Sequence, residues 1–380
     1  MRKLLMLAAL TPVAAAAAPN QLLLGIDEKT YFEAAQVRNG PAGHDLLAVL
    51  DVSDPAHPKV TGQIPLINSV FGPPTNLQIT PDGKLGLVAN SVVTTEKDGK
   101  FAATPDDTLH VLDLTTQSPR LVETIKVGRQ PSGLSISHDG TLALVANRAG
   151  RSVSVLHIDG TTVRQVGEVP TGEQAAAVVV TPDGKRAFVA ENLAGVVGVL
   201  SINDGSVTYD KANDIPVGAG VYNVDVTPDG RTVIAAGTST DGNGSATTLA
   251  VIDATGPHPH AVSFVTVGQG PEGLAISPDG KWVATPLLNG SSAFHAAPGY
   301  HPDGVLQVFA LQDRTLTPLG EARLGAIPEG IAWSPDSQWL YVGNYADRTL
   351  QIFHMDGGKP VDAGTMLLPG QPASIRGMAP

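Results

Sequence analysis

A four-residue phrase recurs six times along the 380-residue chain, and it sets what the chain can fold into. It reads TPDG at 80–83, SHDG at 137–140, TPDG at 181–184 and 227–230, SPDG at 277–280 and SPDS at 334–337. Pro presets φ for the second position of a tight turn, Asp accepts hydrogen bonds from its own local backbone, and Gly takes positive φ without steric cost. Short apolar runs flank each copy, as in GLSI before and TLALVAN after residues 137–140. Such a unit cannot bury both faces alone, so it must stack on copies of itself.

The turn aspartates are Asp82, Asp139, Asp183, Asp229, Asp279 and Asp336, spaced 44 to 57 residues apart. That period has room for four short strands and matches a propeller blade. One unit reads whole, with strands over 131–137, 141–147, 152–158 and 163–169. A seventh unit is divided between the two ends. Residues 372–378 resemble the opening strand of a unit, and apolar runs at 21–26, 45–52 and 59–65 supply its other strands. The prediction is an all-β, seven-bladed β-propeller of four-stranded antiparallel blades, closed where the C-terminal strand joins the N-terminal strands. Closure removes two free sheet edges.

The inner strands align in columns. One column holds Leu77, Leu134, Val178, Val224, Leu274, Ile331 and Ile375; the next holds Ile79, Ile136, Val180, Val226, Ile276, Trp333 and Met378. These are expected to pack between blades. The residues between the columns, Gln78, Ser135, Val179, Asp225, Ala275, Ala332 and Arg376, are expected to face the axis.

Residues 1–18 have the form of a secretory signal. Arg2 and Lys3 precede an apolar stretch over 4–10, and alanines 14–18 form a small-residue cleavage region. The expectation is export to a periplasm or beyond, with 19–380 as one domain and no membrane span. The chain has no cysteine, which excludes disulfides, thiolate metal sites and covalent c-type haem. A formal net charge of -12 disfavours broad binding of nucleic acid. No phosphate-binding loop, dinucleotide fingerprint or serine-nucleophile elbow is present, and no cofactor is expected.

The segment SGLSISHDGTLALVANRAGRSVSVLHID, residues 132–159, resembles the YVTN-type β-propeller repeat. So does EGIAWSPDSQWLYVGNYADRTLQIFH at 329–354, where LYVGN stands at the name-giving segment. The resemblance extends over nearly all of 19–380 and implies the lactonase-like propeller superfamily. That group includes extracytoplasmic binding propellers, lactonase-like enzymes and subunits of redox systems. Lactonases related to phosphogluconolactonase carry PRH-like and NEL-like stretches; this chain instead has Arg129-Gln130-Pro131 and Glu191-Asn192-Leu193.

Propellers of this kind bind at a mouth of the central channel, built by the loops entering the inner strands. Those loops lie at 71–75, 128–132, 171–176, 218–222, 268–272, 326–329 and 370–373. The candidate ligand residues at that mouth are Asn76, Asn147, Arg148, Tyr222, Asn223, Asp225, Glu272, Glu329, Asn344 and Tyr345, with the two tyrosines as flat apolar walls. For catalysis the candidates are Glu272 or Glu329 as base and Arg148 or Arg376 as oxyanion stabiliser. Two insertions, 91–109 and 287–305, read as long loops, each a lid or partner contact or else a drifted surface loop. His258-Pro259-His260 and the pair His295 and His301 lack a carboxylate cluster beside them, so no metal is expected. Residues 241–245 only loosely match a calcium loop. The expected function is an exported binding or scaffold propeller holding a small polar molecule or an extracytoplasmic protein. The alternatives are a lactonase-like hydrolase and a subunit docked on a periplasmic redox enzyme.

Overall fold

The computed structural model describes residues 20–33, 36–116, 118–238 and 244–379. The leader and most of the glycine-rich segment at 241–245 lie outside them.

Each repeated phrase is a turn held by its first and third residues. In the first copy Thr80 Oγ1 donates to Asp82 Oδ1 (2.7 Å), and the amide of Leu85 donates back to Thr80 Oγ1 (3.0 Å). The amide of Lys84 donates to Asp82 Oδ1 at 3.1 Å. Gly83 closes the turn at φ 72°. The Ser or Thr opening each phrase thus takes part in every copy, a role beyond that of Pro, Asp and Gly. In the last copy Ser337 takes φ 61° in place of glycine. Its hydroxyl accepts from the Asp279 amide of the neighbouring blade (3.0 Å).

These turns join the first two strands of blades 1 to 6. Blade 2 is Pro131–Ile136, Leu142–Asn147, Ser152–Asp159 and Thr162–Pro170, in that spatial order and antiparallel throughout. Blades 1, 3, 4, 5 and 6 repeat the plan, with inner strands Leu77–Ile79, Ala175–Val180, Val221–Val226, Ala275–Ile276 and Pro328–Trp333. Blade 7 runs Pro372–Arg376, Gln21–Ile26, Leu46–Asp51, Lys59–Pro65. The ring therefore closes as the sequence implies. A second latch follows: the Ile79 amide donates to Gly377 O (3.1 Å), and the Ala379 amide donates to Ile79 O (2.8 Å). The chain end thus ties blade 7 to blade 1.

The core lies between blades. Leu87, Val111 and Leu109 of blade 1 pack with Leu134, Val145 and Leu156 of blade 2 in one buried cluster, and similar clusters recur around the ring. The first predicted column is buried in all seven blades. The intervening residues join neighbours where they are polar. Gln78 Oε1 accepts from the Ile136 amide (2.8 Å) and Asp225 Oδ2 from the Ile276 amide (2.8 Å). Arg376 Nη1 donates to Leu134 O (2.5 Å). Each satisfies a backbone group of another inner strand, Gln78 and Asp225 on the next blade and Arg376 two blades away, so axial crowding does not require small residues.

Two expectations change. Residues 91–109 are not a loop: the second and third strands of blade 1 continue as a ribbon, Leu85–Lys97 and Lys100–Asp113, paired almost to its tip. Cross-strand bonds satisfy the backbone there, which alternation in TTEKDGKFAAT does not advertise. Residues Thr30–Glu33 and Gln36–Asn39, not assigned to any blade, form a separate hairpin. Among the described residues no helix is long and apolar enough to cross a membrane.

Candidate functional site

The inner strands of blades 1 to 6 run from an entry loop to the repeated turn, and that of blade 7 runs from its entry loop to the chain end, so residues at head and tail face opposite ends of the channel. The heads build an upper chamber of about 370 Å³. The tails and the turns build a lower vestibule of about 820 Å³, with Pro182, Pro228, Pro278 and Pro335 around it. The ten candidate ligand residues divide between these two spaces and the blade interiors.

Tyr222, Glu272 and Glu329 line the upper chamber. Arg148 leaves the end of a second strand and places its guanidinium 5.5 Å from the centre of the Tyr222 ring, a cation–π contact. Glu329 is 3% exposed, and its Oε2 has no hydrogen-bond partner. Burial raises the carboxyl of Glu329 well above its ordinary range, and the nearby charge of Glu272 raises it further. Burial likewise pushes Glu272 up, to about 7, against the opposing pull of Arg148. Burial raises the Tyr222 hydroxyl as well. Two carboxylates in one enclosed space cannot both ionise cheaply, so the pair holds a proton near neutral pH.

The local backbone that delivers Glu329 is strained. Ile327, two residues before it, sits at φ 53°, which a β-branched residue rarely adopts. The Ile327 amide donates to Ser291 Oγ (2.9 Å) and its carbonyl accepts from the Tyr345 amide (2.9 Å), which hold that conformation. Gly72 lines the same chamber at φ 118°, and a Cβ there would meet Ser132 Oγ at 2.2 Å. Only glycine fits.

A cap closes the entry end. Phe32 and Val37 of the hairpin line the chamber beside Phe71, Leu288 and Ile327. Beneath the hairpin, the fully buried Lys29 bridges Asp27 (3.2 Å) and Asp45 (2.7 Å) and donates to Asn68 O. Asp27 also accepts from the amides of Thr30 (3.0 Å) and Val70 (2.9 Å), joining the hairpin to the loop after Pro65. Tyr345 belongs to this foundation. It is fully buried, donates to Thr30 O (2.6 Å), and meets Phe32 edge-on at 6.0 Å. Its expected place as an open wall is thereby corrected: the cap covers it.

The other candidates lie elsewhere. Asn223, Asp225 and Arg376 line the lower vestibule, where Arg376 and Asp225 attract each other across the channel. Arg376 therefore does not join Glu272 and Glu329, and Arg148 is the cation beside them. The Asn223 side chain donates to Glu272 O (3.0 Å) and so positions that residue's backbone. Asn76, Asn147 and Asn344 sit inside the blades. Asn76 donates to Ala89 O (2.9 Å). With its amide turned to satisfy both ends, Asn147 donates to Gly128 O (3.3 Å) and accepts from the Ser154 amide (3.1 Å). Asn344 accepts from the Gly325 amide (3.1 Å) and donates to Thr349 Oγ1 (3.2 Å). These amides staple strand ends to entry loops and point away from either chamber.

The expected entry loops 71–75, 268–272 and 326–329 and the insertion 287–305 supply Phe71, Gln269, Ile327 and Leu288 to the chamber without having been singled out as ligand residues, and sequence reasoning missed the cap with Phe32. The signal for the hairpin was the alternation in TYFEAAQVRN, which fits no blade. His258 and His260 are exposed, and His295 stacks on Tyr300 at 4.6 Å. Among the described residues no group of three or more His, Asp or Glu converges as for a metal ion.

Comparison with known proteins agrees with this architecture. A family model described as "Lactonase, 7-bladed beta-propeller" matches residues 93–223. One for "WD domain, G-beta repeat" matches 327–354. No curated protein matches. Among solved structures, the periplasmic gluconolactonase of Pseudomonas aeruginosa is similar over 94% of this chain and 98% of its own, at 18% identity and TM-score 0.68. Hydrazine synthase of Kuenenia stuttgartiensis is similar over 82% and 91%, at 19% identity and TM-score 0.62. A functionally unknown protein of Desulfotomaculum acetoxidans is similar over 93% and 97%, at 15% identity and TM-score 0.68. At such identities the likeness shows the fold, a seven-bladed β-propeller.

Proposed function

Taking this lactonase-like, seven-bladed ring as the frame, we propose that the chain is an exported propeller that binds one small polar molecule in the upper chamber. The convergence of Glu272, Glu329 and Tyr222 on one chamber, with Arg148 over the Tyr222 ring and near enough to act on Glu272, carries the reading. A pocket with apolar walls and a few convergent polar groups is the usual form of a small-molecule site. The closed ring holds those groups in register without chemistry of its own. Native mass spectrometry of protein purified from its own host tests the proposal. A bound small molecule is expected, lost from a Phe32→Trp variant that fills the chamber; protein without bound mass in both forms refutes it. The leader supports export, and N-terminal sequencing of the secreted form checks it, with the new terminus expected just after residue 17 or 18.

A second reading is favoured by one observation, a carboxylate held near neutrality beside a guanidinium. Such a pair can open a lactone. Glu272 takes a proton from water as the water oxygen adds to the carbonyl carbon, and Arg148 stabilises the resulting oxyanion. The ring C–O bond then breaks, and Glu272 returns the proton to the departing alkoxide. A lactone-hydrolysis screen tests it: activity should fall by about 10²-fold or more in Glu272→Gln. Activity equal to wild type in that variant refutes this reading and leaves binding.

A further inference from the structure

With both of its carboxyls ionised, the upper chamber carries an unbalanced charge. Two carboxylates, Glu272 and Glu329, share it, and Arg148 is the cation that acts on Glu272. That guanidinium is already engaged over the Tyr222 ring. Glu329 lies at the other side of the pair, 3% exposed, with Oε2 lacking any donor. An orphaned acceptor so deeply buried is costly unless a donor arrives from outside. Around it the walls are aromatic and aliphatic: Phe32, Phe71, Leu288 and Ile327. The volume, about 370 Å³, suits a small organic molecule.

From this geometry we infer that the chamber selects a small organic ammonium, with a primary amine head on the Glu272–Glu329 pair and an apolar body against the aromatic cap. The inference rests on the reading of the upper chamber as the ligand site. An ammonium meets both needs at once. It supplies an N–H to the unpartnered Glu329 oxygen, and its charge balances the second carboxylate. A quaternary ammonium meets only the second need, and a neutral alcohol only the first. An anion would face the carboxyl pair with one guanidinium in support.

Binding is then coupled to protons. Near neutral pH the pair holds one proton, which the arriving ammonium displaces. The charged and titratable groups facing the pair are Arg148 and Tyr222 on the ring. Behind Tyr345 stand Asp27, Asp45 and Glu28 of the cap, with Lys29 bridging the two aspartates. Affinity should rise with pH as the pair ionises, Glu272 through about 7 and Glu329 well above its ordinary range, and an alkylammonium keeps its charge throughout.

Calorimetry on the full exported protein tests this with cyclohexylammonium, cyclohexanol and cyclohexyltrimethylammonium, in two buffers of different ionisation enthalpy. Cyclohexylammonium should bind at least about tenfold tighter than either comparator. It should release protons on binding, more of them at about pH 6 than at about pH 8. Glu329→Gln should lose both the preference and the proton release, while keeping the wild-type circular dichroism spectrum. Equal affinity for cyclohexanol, no proton release, or no binding of cyclohexylammonium overturns the inference. Ligand-observed NMR with a mixed panel of neutral, anionic and cationic fragments separates the two levels of the argument. If neutral or anionic fragments bind and Phe32→Trp displaces them, the chamber stands as a site and the ammonium falls. If Phe32→Trp displaces no fragment of any charge, the site itself falls.

Discussion

Replacing Glu272 by Gln should stabilise the protein, and only above a particular pH. The carboxyl of Glu272 is raised by burial from 4.5 to about 7, with Arg148 opposing the rise. Below pH 4.5 the group is protonated in both the folded and the unfolded chain, so it contributes no pH dependence. Between 4.5 and 7 the unfolded chain gives up the proton while the folded chain keeps it. Stability therefore falls as pH rises through that window and stays lower above it. A tenfold change in the ionisation equilibrium corresponds to about 1.4 kcal/mol, which sets an upper bound of about 3 kcal/mol. Glu272 is half-buried and titrates jointly with Glu329, so a gain of about 1–3 kcal/mol is expected for the glutamine at about pH 8. For a chain this long that is a rise in Tm of roughly 1–4 °C. At about pH 4 the two proteins should agree within about 0.5 kcal/mol. Thermal unfolding by calorimetry at the two pH values measures the difference, and the other titrating groups cancel between variant and wild type. A gain of equal size at both pH values, or a lower Tm at about pH 8, would refute the electrostatic reasoning. It would mean that the pair is either solvated or already balanced by another charged group.

Two further perturbations test the frame. Lys29→Met leaves Asp27 and Asp45 buried without their shared cation, and should cost about 3–5 kcal/mol, read as a lower Tm and faster proteolysis within residues 29–40; unchanged proteolysis would mean that the cap is held by other contacts. Deleting residues 372–380 removes the inner strand of blade 7 and the latch onto Ile79, exposing the sheet edge of Gln21–Ile26. The truncated chain should lose more than about 5 kcal/mol and associate on gel filtration, while a monomer with the wild-type Tm would contradict ring closure.

Much of the architecture was present in contiguous residues. The Thr/Ser-x-Asp-Gly turn folds through bonds among residues within five positions of one another, so its six copies identify six blade starts without knowledge of the rest. Strand boundaries in blade 2 follow from the same local signals and agree to within about two residues. The divided blade was legible because residues 372–376 carry the apolar pattern of every other inner strand, and a ring has one place left for it.

Position around the axis was not legible in the same way. Asn147 and Arg148 are neighbours in the chain, yet one staples a blade interior and the other reaches the chamber. Tyr222 and Asn223 are neighbours at one strand head, yet one lines the upper chamber and the other the lower vestibule, since successive strand side chains point to opposite faces of the blade. The carboxyl pair joins strand heads 57 residues apart, and its raised protonation comes from burial beneath a hairpin near the other end of the chain. Turn chemistry and strand periodicity are short-range, so the amino-acid order alone determined blade number and closure. Solvent exclusion and charge proximity depend on seven separated segments and a cap meeting at one axis, so only the assembled ring decided which polar groups form a site.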